Sequence, residues 1–301
     1  MRAPLLCSVQ RTNDTGMSLS ITKLHPLFAV RVEGVDIARG ISDADFTELC
    51  IAFEEHSVIV ISNQDLDDSA QIEFSQRFGP LEMMLPHAGN NLNPGHISRM
   101  YNSEVDGTII PPDDHRMIYL TANRIWHTDS SFKEIPSLCS LLYAHEVPPT
   151  GGETEFASMR AAYCALDTET KTLINDKVAL HHAARTRDLV ATGLVTPDRR
   201  ATSPVRHAMV RSNPVNGRKA LYTGGHAGKI EGMEESESDA LLVRLLDHTT
   251  QPAFVYAHKW SIGDIVIWDN RAVLHRGRPW NDAAHKRTLH RTTVAGDGPT
   301  I

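Results

Sequence analysis

Short segments of alternating or continuous apolar residues recur along the chain. Residues 29–37 alternate apolar and polar side chains as a half-buried strand does, and residues 57–62 form the apolar run of a more buried strand. From Arg124 onward, further short apolar runs follow at residues 138–144, 254–258, 264–268 and 287–294. Many short strands separated by turns are typical of a β-sandwich or jelly roll.

Helical spacing of apolar residues predicts four helices among these strands. The first begins at Ser42, whose side chain can cap the helix together with Asp45. The other three are predicted over residues 68–78, 159–175 and 234–247. We therefore expect a mainly β protein with flanking helices and a jelly-roll core.

Residues 86–123 are rich in Asn, Gly, Pro and Asp and show little periodicity. A connection of that length inside a compact domain is usually functional, so we consider it a candidate active-site lid. Because no linker rich in Pro, Gly or Ser divides the chain, we predict a single domain over residues 18–301 and a disordered extension over residues 1–17. The alternative for this extension, which has no acidic residue before Asp14, is a targeting signal.

Composition narrows the classes of function. The 301 residues are 41% hydrophobic and 22% charged with a formal net charge of -7, which argues against a nucleic-acid surface. The four cysteines form no CxxC pair, and no apolar stretch approaches the ~20 residues of a membrane helix. We expect a cytoplasmic protein without membrane or nucleic-acid partners, in which local basic residues bind any anionic ligand.

One pair of residues is a candidate metal site. Of the 16 histidines, only His127 is followed two residues later by an acid, Asp129, and on a strand these side chains would share one face. A third ligand must come from elsewhere, and His275 follows an apolar strand and a turn-like Trp-Asp-Asn segment. Two histidines and a carboxylate are the ligands of non-heme Fe(II) oxygenases, with zinc in a hydrolase as the competitor.

Three sequence blocks surround these candidate ligands. They are residues 123–132 (NRIWHTDSSF), residues 151–159 (GGETEFASM) and residues 268–277 (WDNRAVLHRG). In this order they closely resemble the taurine dioxygenase and 2,4-dichlorophenoxyacetate dioxygenase family, and the resemblance is closer to the aryloxyacetate branch. It implies a double-stranded β-helix core, Fe(II) bound by His127, Asp129 and His275, and 2-oxoglutarate and O2 as cosubstrates.

The same resemblance implies a set of anion-binding residues. Arg287 matches the arginine that binds the far carboxylate of 2-oxoglutarate, although a slightly longer preceding segment leaves Lys286 as the alternative. Thr154 matches a threonine that also contacts 2-oxoglutarate. Arg291 matches an arginine that meets the substrate anion, with 2-oxoglutarate as its alternative partner, and Asn123 is a further pocket residue.

The implied reaction hydroxylates a small anionic organic substrate with release of succinate and CO2. For an aryloxyacetate, hydroxylation beside the ether oxygen yields a phenol and glyoxylate; alternatives are a sulfonate, an alkyl sulfate or a natural-product acid. A rival class is a metal-binding jelly-roll hydrolase or binding module, which would not require Thr154, Arg287 and Arg291 to converge. Family members commonly associate, so the resemblance allows a homo-oligomer, although the sequence does not determine the oligomeric state.

The tryptophans divide into two groups. Trp126 and Trp268 flank the ligand segments and are expected to pack beside the metal ligands, whereas Trp260 and Trp280 are expected at core or turn positions. No role is predicted for His87 or His226.

Overall fold

The largest sheet has seven strands. A computed structural model describes residues 19–83, 95–190 and 200–301, so the predicted extension at residues 1–17 lies outside the described residues. In spatial order the strands are β1 (Ser20–Lys23), β2 (Val30–Glu33), β3 (Val58–Ile61), β13 (Ile265–Asp269), β5 (Cys139–Glu146), β15 (Thr288–Val294) and β4 (Ser98–Tyr101). All neighbours are antiparallel except β2 and β3, which run parallel.

Three smaller sheets complete the strand inventory of the described chain. One packs on the main sheet and contains β12 (Val255–His258), β6 (Thr154–Ser158) and β14 (Val273–Gly277) in that order. Another contains β11 (Ala227–Ile230), β7 (Val178–His181) and β8 (Val205–Ala208), and the last pairs β10 (Lys219–Leu221) with β9 (Val210–Ser212).

The described helices flank these sheets. They are α1 (Asp43–His56), α2 (Asp68–Gln76), α3 (His115–Thr121), α4 (Met159–Ala165), α5 (Thr168–Ile174), α6 (Arg185–Asp188) and α7 (Glu235–Thr249), with 3-10 turns at Ala122–Arg124 and Pro252–Phe254. The side chain of Ser42 accepts a hydrogen bond from the Asp45 N–H at 3.1 Å and caps α1 as predicted. Not one of the described helices combines the length and apolar character that membrane crossing requires.

The main sheet buries both of its faces. On β5, Cys139, Leu141 and Tyr143 pack outward with residues of α1 and α2, whereas Leu142 and Ala144 pack inward against the β12-β6-β14 sheet. This alternation is what the two-residue period of a strand requires, and it forms one apolar layer between the two sheets and another beneath the helices. The predicted mainly β fold with flanking helices and a jelly-roll core is confirmed.

Two predictions about local structure were wrong. The single helix expected over residues 159–175 is divided between α4 and α5, because Leu166 is extended and the Asp167 side chain caps a new helix by accepting from the Thr170 N–H at 2.6 Å. The segment over residues 86–123, where little periodicity indicated a long connection, contains β4 and α3, and its residues 86–94 lie outside the described part of the chain.

Candidate metal and anion site

The three predicted metal ligands lie together. His127 and His275 form a single antiparallel bridge, in which each N–H donates to the other's carbonyl at 3.1 and 2.7 Å. Nε2 of His127 lies 3.9 Å from Asp129 Oδ1, and Nε2 of His275 lies 3.8 Å from Asp129 Oδ2. One ligand atom from each residue falls within 4.8 Å of the others, so the three side chains can hold one metal ion.

The backbone around Asp129 differs from the prediction. We expected His127 and Asp129 to share the face of a strand, but the bridge at His127 is isolated and Ser130 already adopts a left-handed conformation with φ 54°. The turn is fixed by Asn270, whose Oδ1 accepts from the Asp129 N–H at 3.2 Å and from Trp268 Nε1 at 2.9 Å. Asp129 is therefore positioned by the Trp-Asp-Asn turn rather than by strand geometry.

Both histidines present the neutral form that metals bind. His127 Nδ1 lies 2.7 Å from the Ile125 carbonyl, which only accepts, so Nδ1 carries the hydrogen and Nε2 directs its lone pair toward Asp129. Burial lowers the pKa of His127 and lowers the pKa of His275 well below its usual range. The imidazoles are therefore uncharged at neutral pH.

Asp129 presents the ionised form. Burial alone would raise the pKa of Asp129, but the positive charge of Arg291 holds it well below its usual range. The carboxylate also accepts from Ser140 Oγ at 2.7 Å and from Arg291 Nη1 at 2.7 Å. Two neutral imidazoles and one carboxylate are a donor set that fits Fe(II).

A cavity of about 70 Å³ opens beside the two histidines. Every predicted site residue except Asp129 lines it, and Asp129 is linked to it by the hydrogen bond from Arg291. The lining residues that sequence analysis named for the site are Asn123, His127, Thr154, His275, Arg287 and Arg291. The cavity therefore brings together Thr154, Arg287 and Arg291. The alternative of a hydrolase or a binding module does not require this arrangement.

Arg287 brings a buried positive charge to this cavity. Its Nε donates to the Gly152 carbonyl at 3.1 Å, and its guanidinium carbon lies 5.2 Å from the centre of the Trp280 ring. Burial lowers the pKa of Arg287 to about 10, and Glu153 offsets this only in part. No carboxylate of the described chain lies within ion-pair distance of Arg287, so an anionic ligand is the partner that its environment favours.

The structure separates Arg287 from its alternative, Lys286. The Lys286 ammonium lies beside the turn at Gly107, where an added Cβ would meet it at 2.7 Å, and Lys286 does not line the cavity. Arg291 differs from both because its Nη1 binds Asp129 at 2.7 Å while its buried Nε has no hydrogen-bond partner. The two arginines therefore present different environments to a bound anion: Arg287 has no carboxylate partner in the described chain, whereas Arg291 is paired to Asp129, a candidate metal ligand.

Two tryptophans have contacts that sequence analysis missed. Trp260 Nε1 donates to Thr154 Oγ1 at 3.1 Å, which leaves the threonine hydrogen available to an acceptor in the cavity. Trp280, expected at a core or turn position, lines the cavity beneath Arg287.

The other two tryptophans were expected beside the candidate metal ligands. Trp268 lines the cavity. The ring of Trp126 is covered by the guanidinium of Arg276, whose central carbon lies 4.5 Å from the ring centre.

An apolar wall completes the cavity. It is built mainly from β4, α3 and β5 by Met100, Met117, Leu120 and Leu142. Part of the segment expected to be a lid therefore forms a wall, and no periodicity in the sequence indicated it. Asn123 lies on the same side, with Nδ2 at 3.9 Å from Met100 Sδ.

Sequence analysis predicted no role for two histidines, His226 and His87. His226 is buried, and its ring lies edge-on to that of His127 with 6.1 Å between ring centres, so it packs against a candidate metal ligand. His87 lies outside the described residues.

Comparisons with known proteins cover nearly the whole chain. A family model described as taurine catabolism dioxygenase TauD, TfdA family matches residues 20–293. The chain is 38% identical over 285 residues to the alpha-ketoglutarate-dependent 2,4-dichlorophenoxyacetate dioxygenase of Cupriavidus pinatubonensis, covering 93% of this chain and 99% of the relative. It is 35% identical over 290 residues to the (S)-phenoxypropionate/alpha-ketoglutarate-dioxygenase of Sphingobium herbicidovorans, covering 93% of this chain and 96% of that relative.

One solved structure resembles this chain over a similar share of its length. AAD-2 in complex with Mn(II) and N-oxalylglycine is 38% identical, covers 95% of this chain and 99% of its own, and gives a TM-score of 0.86. All the residues of the site lie inside the region that the family model matches.

Proposed function

Because the chain belongs to the taurine catabolism dioxygenase TauD, TfdA family, we propose that it hydroxylates a small carboxylic acid with Fe(II) held by His127, Asp129 and His275. The chain is a 2-oxoglutarate-dependent dioxygenase, and 2-oxoglutarate and O2 are its cosubstrates. When bound, iron together with these cosubstrates supplies the oxidising chemistry, with succinate and CO2 released. The protein contributes binding, orientation and exclusion of water.

The proposal is carried by one observation, the buried and uncompensated guanidinium of Arg287 in the cavity beside the two histidines. A guanidinium can bind the far carboxylate of 2-oxoglutarate through two parallel hydrogen bonds, which would supply the missing negative charge. We assign the hydroxyl of Thr154 to the same carboxylate, because Trp260 donates to its oxygen and frees its hydrogen.

Binding at these residues also orients the cosubstrate. If its far carboxylate is anchored at Arg287, the keto-acid end of 2-oxoglutarate extends along the cavity toward His127 and His275, which line the same space. Trp268 and Trp280 line the cavity with aromatic surface and limit the access of water to it.

The substrate is proposed to be an aryloxyalkanoic acid. Two similar enzymes are named for 2,4-dichlorophenoxyacetate and (S)-phenoxypropionate, both of which join an aromatic ring to a carboxylate. The wall of Met100, Met117 and Leu120 suits an apolar ring, and Arg291 and Asn123 offer polar groups to the acid. With an aryloxyacetate, hydroxylation next to the ether oxygen yields a phenol and glyoxylate.

The test is a panel of acids incubated with the protein, Fe(II), ascorbate and 2-oxoglutarate, with succinate and substrate loss measured together. Phenoxyacetates and 2-phenoxypropionates are compared with an alkyl sulfonate, an alkyl sulfate and a terpenoid acid. We expect equal amounts of succinate and phenol from the aryloxy acids. Coupled turnover of the sulfonate or sulfate alone would contradict the proposed substrate class, and no succinate with any acid would contradict the proposed chemistry.

A further inference from the structure

A second group of metal-binding side chains lies on the outer face of the main sheet. It comprises Asp68, His145 and His290, each partly buried, and one ligand atom from each lies within 4.8 Å of the others. On β15, Leu289 packs inward in the layer between the sheets and Arg291 lines the cavity, so the intervening His290 faces the opposite side. The group is therefore separated from the candidate iron site by the sheet.

A β-bulge aims His145 at this group. In the pairing of β5 with β15, Glu146 faces Thr288 and Ala144 faces Leu289, so His145 is the extra residue between them. Its ring lies 4.1 Å from the ring of His290, centre to centre, and its Nε2 is buried without a hydrogen-bond partner. An orphaned imidazole nitrogen beside a second imidazole is a suitable donor for a metal ion.

Asp68 supplies the oxygen. As the first residue of α2, it places Oδ1 at 2.6 Å from His290 Nδ1, while Arg99 binds the other oxygen, Oδ2, at 2.6 Å. Arg99 therefore fixes the carboxylate and leaves Oδ1 turned toward the histidines.

We propose that Asp68, His145 and His290 form a second metal site that takes a divalent transition metal such as Zn²⁺. Two imidazole nitrogens and one carboxylate oxygen suit Zn²⁺, whereas Mg²⁺ and Ca²⁺ prefer oxygen ligands alone. The ion would replace the hydrogen shared by His290 and Asp68. The site is independent of catalysis at the iron site and joins α2 to β5 and β15.

The test uses the full-length chain with His127→Ala and Asp129→Ala, which disables the iron site and leaves the outer group intact. This variant is dialysed against Zn²⁺ and its bound metal is measured by mass spectrometry. We expect one Zn²⁺ per chain. Adding either His145→Gln or His290→Gln should weaken binding on the order of a hundredfold, whereas His56→Gln, which changes a partly buried histidine outside both groups of candidate ligands, should not.

A second variant separates a metal site from a purely structural hydrogen-bond network. Asp68→Asn removes the negative charge but keeps an oxygen that can accept from His290 Nδ1, so Zn²⁺ binding should weaken about as much as in the histidine variants, whereas a purely structural hydrogen bond would be kept. The proposal is overturned if the variant without the iron ligands binds no Zn²⁺, or if His145→Gln binds it as tightly as the parent. Circular dichroism of each variant establishes that it is folded.

Discussion

Individual residues in the three sequence blocks divide into those that line the cavity and those that hold its walls in place. His275 belongs to the first group, and Asn270 and Arg271 in the same block belong to the second. Asn270 binds the Asp129 segment, and the fully buried Arg271 pairs with Asp269 at 2.8 Å and with Glu54 at 2.8 Å. Because a buried ion pair broken on one side leaves an uncompensated charge, these positions tolerate little change for reasons of folding.

Arg287→Ala is expected to act on the cosubstrate. Removing the guanidinium leaves the far carboxylate of 2-oxoglutarate without its charged partner, a loss on the order of 1.5 to 3 kcal/mol, so KM for 2-oxoglutarate should rise roughly ten- to a hundredfold. Steady-state kinetics with 2-oxoglutarate varied measure this. Arg278→Ala is the matched control, because Arg278 lines the same cavity but has Glu155 at 3.8 Å; an equal rise in both variants would contradict the assignment.

Arg291→Ala is expected to act on the main substrate. We predict that KM for an acid substrate rises at least about tenfold while KM for the neutral amide of the same acid changes little, because only the acid carries the charge that Arg291 meets. Iron content must be measured in parallel, since Arg291 also binds Asp129. If the variant retains its iron and only KM for 2-oxoglutarate rises, both arginines serve the cosubstrate and this division of roles is wrong.

At the scale of elements, the strands and caps followed from sequence because their signals are local. The alternation on β5, the Ser42 cap of α1 and the apolar stripe of α7 each depend on residues within one segment. The break between α4 and α5 was missed because the helical pattern of apolar residues continues across it, although Asp167 carried the signal of a new cap. The cavity-lining roles of α3 and β4 were missed since they depend on contacts with distant strands.

The Gly151-Gly152 turn gives a prediction for an element. Gly152 has φ 71°, and an added Cβ would meet Pro148 Cγ at 3.1 Å and Arg287 Nε at 3.2 Å. Gly152→Ala should therefore lower the free energy of unfolding by about 1 to 3 kcal/mol and also raise KM for 2-oxoglutarate by displacing Arg287. Urea denaturation and kinetics measure the two effects.

Gly217→Ala is the matched control for this turn. Gly217 has the same φ of 71°, but an added Cβ would meet nothing within 4 Å. Gly217→Ala should therefore lower the free energy of unfolding only by the strain of a left-handed alanine, and KM for 2-oxoglutarate should stay unchanged. Equal destabilisation and equal KM in the two variants would show that the contact between Gly152 and Arg287 has no consequence.

For the molecule as a whole, sequence predicted the fold class and named several residues that line one cavity, because the three blocks and the arginine segment resemble those of a known family. It could not predict the pairing of Arg291 with Asp129 or the place of Trp280, since these contacts join residues far apart in the chain. Nor did it indicate the cluster of buried histidines behind the site, where His181 packs against Tyr222 and His207.

This histidine cluster predicts how stability depends on pH. Burial and the neighbouring His207 lower the pKa of His181 to about 3, so below pH 6.5 the unfolded chain binds a proton that the folded chain does not. The contribution of neutral His181 to the free energy of unfolding is therefore fully present above pH 6.5 and is lost as the pH falls. Between pH 6.5 and 5, this titration should lower the free energy of unfolding by about 1.5 to 2 kcal/mol.

The variant His181→Phe isolates this contribution. A phenyl ring can stack on Tyr222 but does not titrate. The free energy of unfolding should therefore fall less in the variant than in the wild type as the pH is lowered from 6.5 to 5. Urea denaturation at several pH values measures it. Parallel curves for the two proteins would show that His181 is not held neutral in the folded state.

The central claim, that His127, Asp129 and His275 bind Fe(II) together with 2-oxoglutarate, is tested most directly by anaerobic absorption spectroscopy. Addition of Fe(II) and 2-oxoglutarate to the protein should produce a weak visible charge-transfer band that requires both. The band should be absent when Zn²⁺ replaces Fe(II) and in Asp129→Ala, and Arg287→Ala should require a higher concentration of 2-oxoglutarate. No band in a wild-type protein shown to hold one equivalent of Fe(II), or an undiminished band in Asp129→Ala, would contradict the assignment.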